Sequence, residues 1–343
     1  MRWSRVLEGW NVHAEGEIGI VVTGGVPPIP GADMLARLRH LEEVDDGLRR
    51  LLTLAPRGRP DASVVLLPPP TRPEAHAGFL VLQPDRTHAM SGSNAICAVT
   101  CLLETGLLPT PAEAAEVEVV LDTAAGPVRA RADWDGGRCR RVRLVMPWSW
   151  LEVADLAVTV AELGRVRLDV AFGGVFYALV DADALGLPVV PARARTLVEL
   201  GLRILEAARA AVVPEHPERP GLRGLAYLMW CGHDAAGRPV NATVMPPGRL
   251  DRSPCGTGSS ARLAAAFARG RVVVGERWTF RSVIGTRFEA RLLEAGEVAG
   301  RPAVRPEIAG RGFLFGRTTF AVDPGDPLAP FALPDVYGPD AGA

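Results

Sequence analysis

Two short segments hold the residues best placed for chemistry. One is Cys255-Gly256-Thr257-Gly258-Ser259-Ser260-Ala261; the other is Ser91-Gly92-Ser93-Asn94-Ala95-Ile96-Cys97. Each starts with a small nucleophile-type side chain, then Gly, then a hydroxyl residue, and runs on into an apolar-patterned stretch. Each meets a glycine fifteen positions after its start (91 to 106, 255 to 270), where the residue just past a helix end is expected. Such an opening leaves backbone amides unpaired and pointing outward. It takes a carboxylate through those amides and the positive end of the helix dipole. A thiol placed there is expected to have its pKa lowered by the same field. Two such openings facing each other would hold one carboxylate between two sets of donors and set one reactive side chain on each face of the neighbouring carbon. Ordinary capped helices use the same residue types. The paired spacing and the run Asp251-Arg252-Ser253-Pro254 just before Cys255 favour a site.

The other cysteines point elsewhere. Five in all is an odd, sparse count, which argues against a disulfide framework. Cys97 and Cys101 could share a helix face, but no second Cys/His pair stands beside them at zinc-ligand spacing. Cys231-Gly232-His233 is an isolated triplet. These are expected to be buried small hydrophobes, and Cys139 falls in an Arg-rich turn with no evident role.

The elements that must position the two segments mix strands and helices without strict alternation, an α+β pattern. Strand-like stretches are Ile18 to Val22, Ser63 to Leu67, Val117 to Leu121, Val142 to Met146, Val166 to Ala171, Val175 to Val180 and Val272 to Val274. Helical stretches are Met34 to Leu54, Ala95 to Glu104, Thr196 to Ala211 and Ser259 to Ala268. At 343 residues two domains are the default. The segment Met146-Pro147-Trp148-Ser149-Trp150 marks a boundary, giving a first half over 1–148 that carries Ser91 and a second over 149–321 that carries Cys255. The tail, 322–343, is expected to return to the first half, with Pro324 to Pro339 laid across a surface. Basic and acidic residues number 38 and 39, so no field invites nucleic acid or an anionic membrane. No signal-peptide pattern follows Met1-Arg2-Trp3-Ser4-Arg5, and no apolar run approaches the roughly 20 residues that span a bilayer. A cytoplasmic location is therefore expected.

The stretch from Asp251 to Leu263 closely resembles the second active-site motif of the proline racemase family, and Met90-Ser91-Gly92-Ser93-Asn94 stands where that family has its first. His13-Ala14-Glu15-Gly16-Glu17, Val22-Thr23-Gly24-Gly25, Ala171-Phe172-Gly173-Gly174, Ile284-Gly285-Thr286-Arg287-Phe288 and Phe320-Ala321-Val322-Asp323-Pro324 agree in order along the chain. The resemblance implies two pseudo-symmetric domains of the diaminopimelate-epimerase-like fold, each a central helix wrapped by strands, with the active site in the cleft between them. It also implies that Ser91 and Cys255 are catalytic, that Asp251 holds a ring amine, and that Gly92, Ser93, Gly256 and Thr257 bind the substrate carboxylate. Tyr227 falls near a position where epimerases of the family often have a substrate-contacting His; a core tyrosine is the alternative. Family racemases carry Cys at both motif starts and commonly His where Ser93 stands. Relatives with Thr at the first start dehydrate trans-3-hydroxy-L-proline. Those with Ser there are associated with that dehydration, with epimerisation of 4-hydroxyproline, or with both.

Racemisation needs a base on one face of the α-carbon and an acid on the other. Thiols can exchange those roles, whereas a serine hydroxyl is far less acidic and no base partner for Ser91 is evident in its motif. His88, three residues before Ser91, is either a helper or part of a loop. Dehydration needs only one catalytic face. On that ground Cys255-driven dehydration of trans-3-hydroxy-L-proline to Δ1-pyrroline-2-carboxylate ranks first, with 4-hydroxyproline 2-epimerisation as the alternative or as a second activity. A non-catalytic binder of cyclic amino acids is the remaining class. No metal, PLP or nicotinamide is called for, and no dinucleotide, Walker or HExxH motif is present. The partner is a small molecule, a hydroxyproline or proline analogue; the chain is expected to be a monomer or homodimer.

Overall fold

The structure, a computed structural model, describes residues 4–111, 113–161 and 163–331. Two compact units divide it. The first runs to Leu144 and takes up the chain again from Gly310; the second runs from Val145 to Ala309. The return to the first unit, anticipated at 322, comes at Gly310, because the strand Gly312–Val322 pairs antiparallel with Arg5–Ala14 over its whole length, from Arg5 opposite Val322 to Ala14 opposite Gly312. Ladder hydrogen bonds along that edge bind the late strand to the first unit. The Pro-rich tail is described as far as Phe331, whose amide donates to Ala55 O at 2.8 Å, while Pro330 O accepts from Arg50. The rest of that expected segment lies outside the described residues.

In the first unit, Arg5–Ala14 also pairs antiparallel with Glu17–Gly24, which lies parallel to Ser63–Leu66. Ser63–Leu66 joins Ala77–Leu82, and Ala77–Leu82 runs parallel to Glu116–Thr123. Short helices α1 (Met34–Arg39) and α2 (Gly47–Thr53) replace the single helix expected from Met34 to Leu54. The chain passes through a wide turn at His40–Val44 and leaves helical geometry at Asp45, whose carboxylate accepts the Gly47 amide at 2.9 Å. Asp beside Gly competes for backbone donors better than it continues a helix. Helix α3 (Gly92–Glu104) is buried from Gly92 through Leu103 against the strands Arg5–Ala14, Glu17–Gly24 and Gly312–Val322.

The second unit repeats the plan. Ser149–Val160 and Gly164–Phe172 form an antiparallel pair, and Phe176–Asp181 continues it and then runs parallel to Leu225–His233. Pro239–Met245 follows antiparallel, and Arg277–Ser282, Arg287–Val298 and the strand beginning at Arg301 complete the wrap. Helix α4 (Ala194–Ala211) is amphipathic, burying Leu197, Ile204, Leu205 and Ala208. Helix α5 (Gly256–Ala268) sits against Ser149–Val160, Gly164–Phe172, Phe176–Asp181 and Arg287–Val298. Its Gly, Ser and Ala residues let these strands approach closely. Gly173 shows how tight this is, since a Cβ there would stand 2.1 Å from Thr257 O.

The anticipated strand Val272 to Val274 is a turn instead: Arg271 N bonds back to Ala266 O and Gly275 N to Leu292 O, leaving Val273 and Val274 exposed. Three apolar residues between Gly270 and Gly275 are too few to hold a ladder. Cys139 is not in a turn but buried in the strand Arg138–Val145. Among the described residues no helix is long and apolar enough to cross a membrane.

Candidate active site

Helices α3 and α5 are each thirteen residues long, begin one residue after Ser91 and Cys255, and are followed by a glycine in the left-handed region, Gly106 (φ 72°) and Gly270 (φ 67°). In each the first intrahelical bond returns to the starting residue, Ala95 N to Ser91 O and Ser259 N to Cys255 O, both 2.9 Å. Neither starting side chain caps its own helix. The amides of residues 92–94 and 256–258 therefore precede the ladder, as an anion-binding opening requires.

The run before Cys255 is a scaffold for it. Asp251 accepts the Ser253 amide at 2.7 Å and the Ser253 hydroxyl at 2.8 Å; Ser253 Oγ in turn accepts the Cys255 amide at 3.1 Å. Pro254 O accepts from Asn241 Nδ2 (3.0 Å) and Ser259 Oγ (3.1 Å). These bonds hold Cys255 at φ 63°, ψ 109°, a backbone conformation that costs a β-carbon residue about 1–3 kcal/mol. On the side-chain end, Sγ lies 3.2 Å from Tyr177 Oη, and the same phenol is 2.7 Å from Thr257 Oγ1. Asp251, Cys255, Gly256 and Thr257 are thus gathered and buried.

The electrostatics reverse one expectation. Burial, and then the charge of Asp251, push the Cys255 thiol up to about 12, against the favourable effects of Thr243, Tyr177 and the Gly258 amide. Desolvation of a thiolate at a buried sulfur outweighs a few partial charges. As placed, Cys255 is a protonated thiol at neutral pH.

In the first unit, Ser91 Oγ accepts Asn94 Nδ2 at 2.8 Å and lies 3.4 Å from Ser93 Oγ. Ser91 is partly exposed, while Gly92, Ser93 and Asn94 behind it are buried. Its backbone is ordinary extended chain (φ −149°, ψ 122°), so the two openings match in register but not in strain.

The family described as proline racemase matches residues 10–330. The chain belongs to the proline racemase family. It has that family's fold and is an enzyme. A 4-hydroxyproline 2-epimerase of Agrobacterium fabrum is 49% identical over 345 residues, covering 100% of this chain and 99% of that one. The crystal structure of a hydroxyproline epimerase from Agrobacterium vitis, with bound trans-4-hydroxy-L-proline, superimposes with a TM-score of 0.95 at 45% identity, covering 98% of both chains. That of a probable proline racemase from Agrobacterium radiobacter, with bound carbonate, gives a TM-score of 0.94 at 48% identity over 97% of this chain and 98% of that one.

Within this member of the proline racemase family, Tyr227 is a buried residue whose ring centroid lies 5.6 Å from that of Tyr177, its partner in the parallel strand pair. His88 ends a two-residue strand and is buried, with Nε2 3.4 Å from Asp85 Oδ1. Cys97 and Cys101 are buried along α3, and Cys101 is pushed up to about 12 by burial. Sequence reasoning missed Tyr177, Asn94 and Gly258. Tyr177 lies 78 residues from Cys255, inside an apolar strand with nothing to distinguish it. Asn94 sat within the quoted motif, and its spacing of three from Ser91 on a helix start was the available signal.

Proposed function

We propose that the protein is a 4-hydroxyproline 2-epimerase that interconverts trans-4-hydroxy-L-proline and cis-4-hydroxy-D-proline. One observation carries this reading: the relative that matches end to end at 45% identity holds trans-4-hydroxy-L-proline. The dehydration ranked first from the residue at position 91 gives way to it, because the relatives that cover the whole chain are 4-hydroxyproline 2-epimerases.

In this reading the amides at the starts of α3 and α5, with Ser93 and Thr257, take the carboxylate. Asp251 takes the ring ammonium. That contact has a second effect, because the charge of Asp251 is one cause of the high thiol value. A cation against Asp251 cancels it and moves Cys255 toward ionisation. Cys255 first gives its own proton to solvent; the thiolate then accepts the α-proton, the C–H electron pair passes into the carboxylate as an enolate held by amide donors, and Ser91 donates its hydroxyl proton to the opposite face. Solvent returns a proton to Ser91, and Cys255, carrying the one it took, is again a thiol. Asn94 is no base for Ser91, but it supports this role: with the amide donating into Oγ, the oxygen's developing negative charge is stabilised as its proton leaves.

The test is incubation in deuterium oxide with trans-4-hydroxy-L-proline, and separately with trans-3-hydroxy-L-proline, followed by chiral chromatography and NMR. Inverted 4-hydroxy product carrying deuterium at the α-carbon is expected. Consumption of the 3-hydroxy substrate alone, with loss of water, overturns the proposal.

A further inference from the structure

The phenol of Tyr177 stands between the sulfur of Cys255 and the hydroxyl of Thr257, buried and within reach of both. We infer that Tyr177 is a positioning residue for the base: a hydrogen-bond switch that follows the proton of Cys255. This deepens the proposed function and rests on Cys255 being the base.

Three observations place the group. Tyr177 is wholly buried in the strand Phe176–Asp181, with Tyr227 beside it from the next strand. Its oxygen is 2.7 Å from Thr257 Oγ1 and 3.2 Å from Cys255 Sγ. The approach depends on a missing side chain, since a Cβ on Gly258 would stand 3.1 Å from Sγ and 3.2 Å from Tyr177 Cε1. One hydroxyl thus faces two partners with a single proton to give. While Cys255 is a thiol, Tyr177 donates to Thr257, the shorter contact, and can accept from S–H. Once the proton has left the sulfur, the phenol turns to donate to the thiolate and Thr257 donates to the phenol. The anionic state gains a charge-assisted bond with a second donor behind it.

Burial first, and then Cys255, raise the phenol well above its ordinary value, so it stays a neutral donor throughout. Other groups that bear on the sulfur are Asp251, which opposes ionisation, Thr243 and the Gly258 amide, which favour it, and Thr257 Oγ1, itself 3.8 Å from Sγ. Tyr177 supplies a donor that pivots among fixed ones.

The test is Tyr177→Phe in the full chain, folded as judged by circular dichroism. The first readout needs no turnover: the rate at which iodoacetamide alkylates Cys255, followed by peptide mass at mildly alkaline pH. Loss of the phenol is expected to lower that rate about tenfold at each pH, equivalent to a rise of about one unit in the thiol's pKa. The second readout is kcat for trans-4-hydroxy-L-proline, expected to fall about tenfold or more with KM changed far less. Thr257→Val should lower the alkylation rate in the same direction but by less, and Thr257→Ser should restore it. If Tyr177→Phe does not fold, the Thr257 pair carries the test, and equal alkylation rates in Val and Ser variants overturn the switch. Unchanged alkylation in Tyr177→Phe also overturns it. A wild-type protein that alkylates as expected yet exchanges no α-proton would instead sink the epimerase reading and leave the Tyr177 result standing.

Discussion

Asn94 donates its side-chain amide to Ser91 Oγ at 2.8 Å, across one turn of α3. The hydroxyl that opens the helix is therefore an acceptor toward Asn94, which leaves its own proton free to be given elsewhere, with Ser93 Oγ 3.4 Å away. A serine held this way can give a proton to a carbanion and keep the resulting charge solvated, which a bare serine does poorly.

Asn94→Ala should accordingly cost activity more than stability. Asn94 Oδ1 is buried with no hydrogen-bond partner among the described residues, so the truncation also removes an unsatisfied atom and the net loss of stability is expected to stay near about 1 kcal/mol. The turnover of trans-4-hydroxy-L-proline should fall about tenfold, with KM little changed. An unaltered kcat would show that Ser91 works without its amide partner.

Replacement at the two starting positions separates their roles. Cys255→Ser should lower epimerisation by about a hundredfold or more, as expected for removal of a general base. Ser91→Cys should raise it, about tenfold for the reaction run from cis-4-hydroxy-D-proline, because a thiol exchanges protons in both directions. Steady-state rates from each epimer measure both effects, and a Ser91→Cys enzyme slower in both directions contradicts the assignment of position 91.

Buried thiols make the fold sensitive to alkali. Cys101, Cys139 and Cys255 are pushed up from the ordinary 9.0 to about 12 by burial. Between those values the unfolded chain has released protons that the folded one retains, so stability is complete below about pH 9 and falls as pH rises toward 12. The limiting slope is about 1.4 kcal/mol per pH unit for each thiol. Urea unfolding at successive pH values should show the decline, and Cys101→Ala should make it shallower. A slope indifferent to that substitution would mean the thiol ionises equally in both states.

Close packing at the start of α5 leaves no room for a methyl group. A Cβ on Gly173 would meet Thr257 O, a backbone atom, at 2.1 Å, so Gly173→Ala should destabilise the second unit by about 3 kcal/mol. On Gly258 the nearest atom is the mobile Met229 Cε at 2.1 Å, with Cys255 Sγ next at 3.1 Å. Gly258→Ala should therefore cost less stability, about 1 kcal/mol, but displace the sulfur and suppress turnover more strongly than Gly173→Ala does in the fraction that folds. Thermal unfolding and activity measured on the same samples distinguish the two.

Much of the candidate site's local geometry was readable along the chain because helix starts and stops are written in contiguous residues. Ser91 and Cys255 each precede thirteen helical residues and a left-handed glycine, and hydrogen bonds of span four, with one residue type free of a Cβ, suffice to specify that. The chain of bonds from Asp251 through Ser253 to Cys255 is equally local, since each joins residues two apart. What the chain could not disclose is what strand pairing brings in from a distance. Tyr177 reaches Cys255 from 78 positions away, and Asn241 reaches Pro254 from a neighbouring strand. The thiol's pKa went the opposite way from the local expectation for the same reason. The helix field that favours a thiolate comes from its own first turn, but desolvation comes from every element packed around it, and only the assembled second unit determines which is larger.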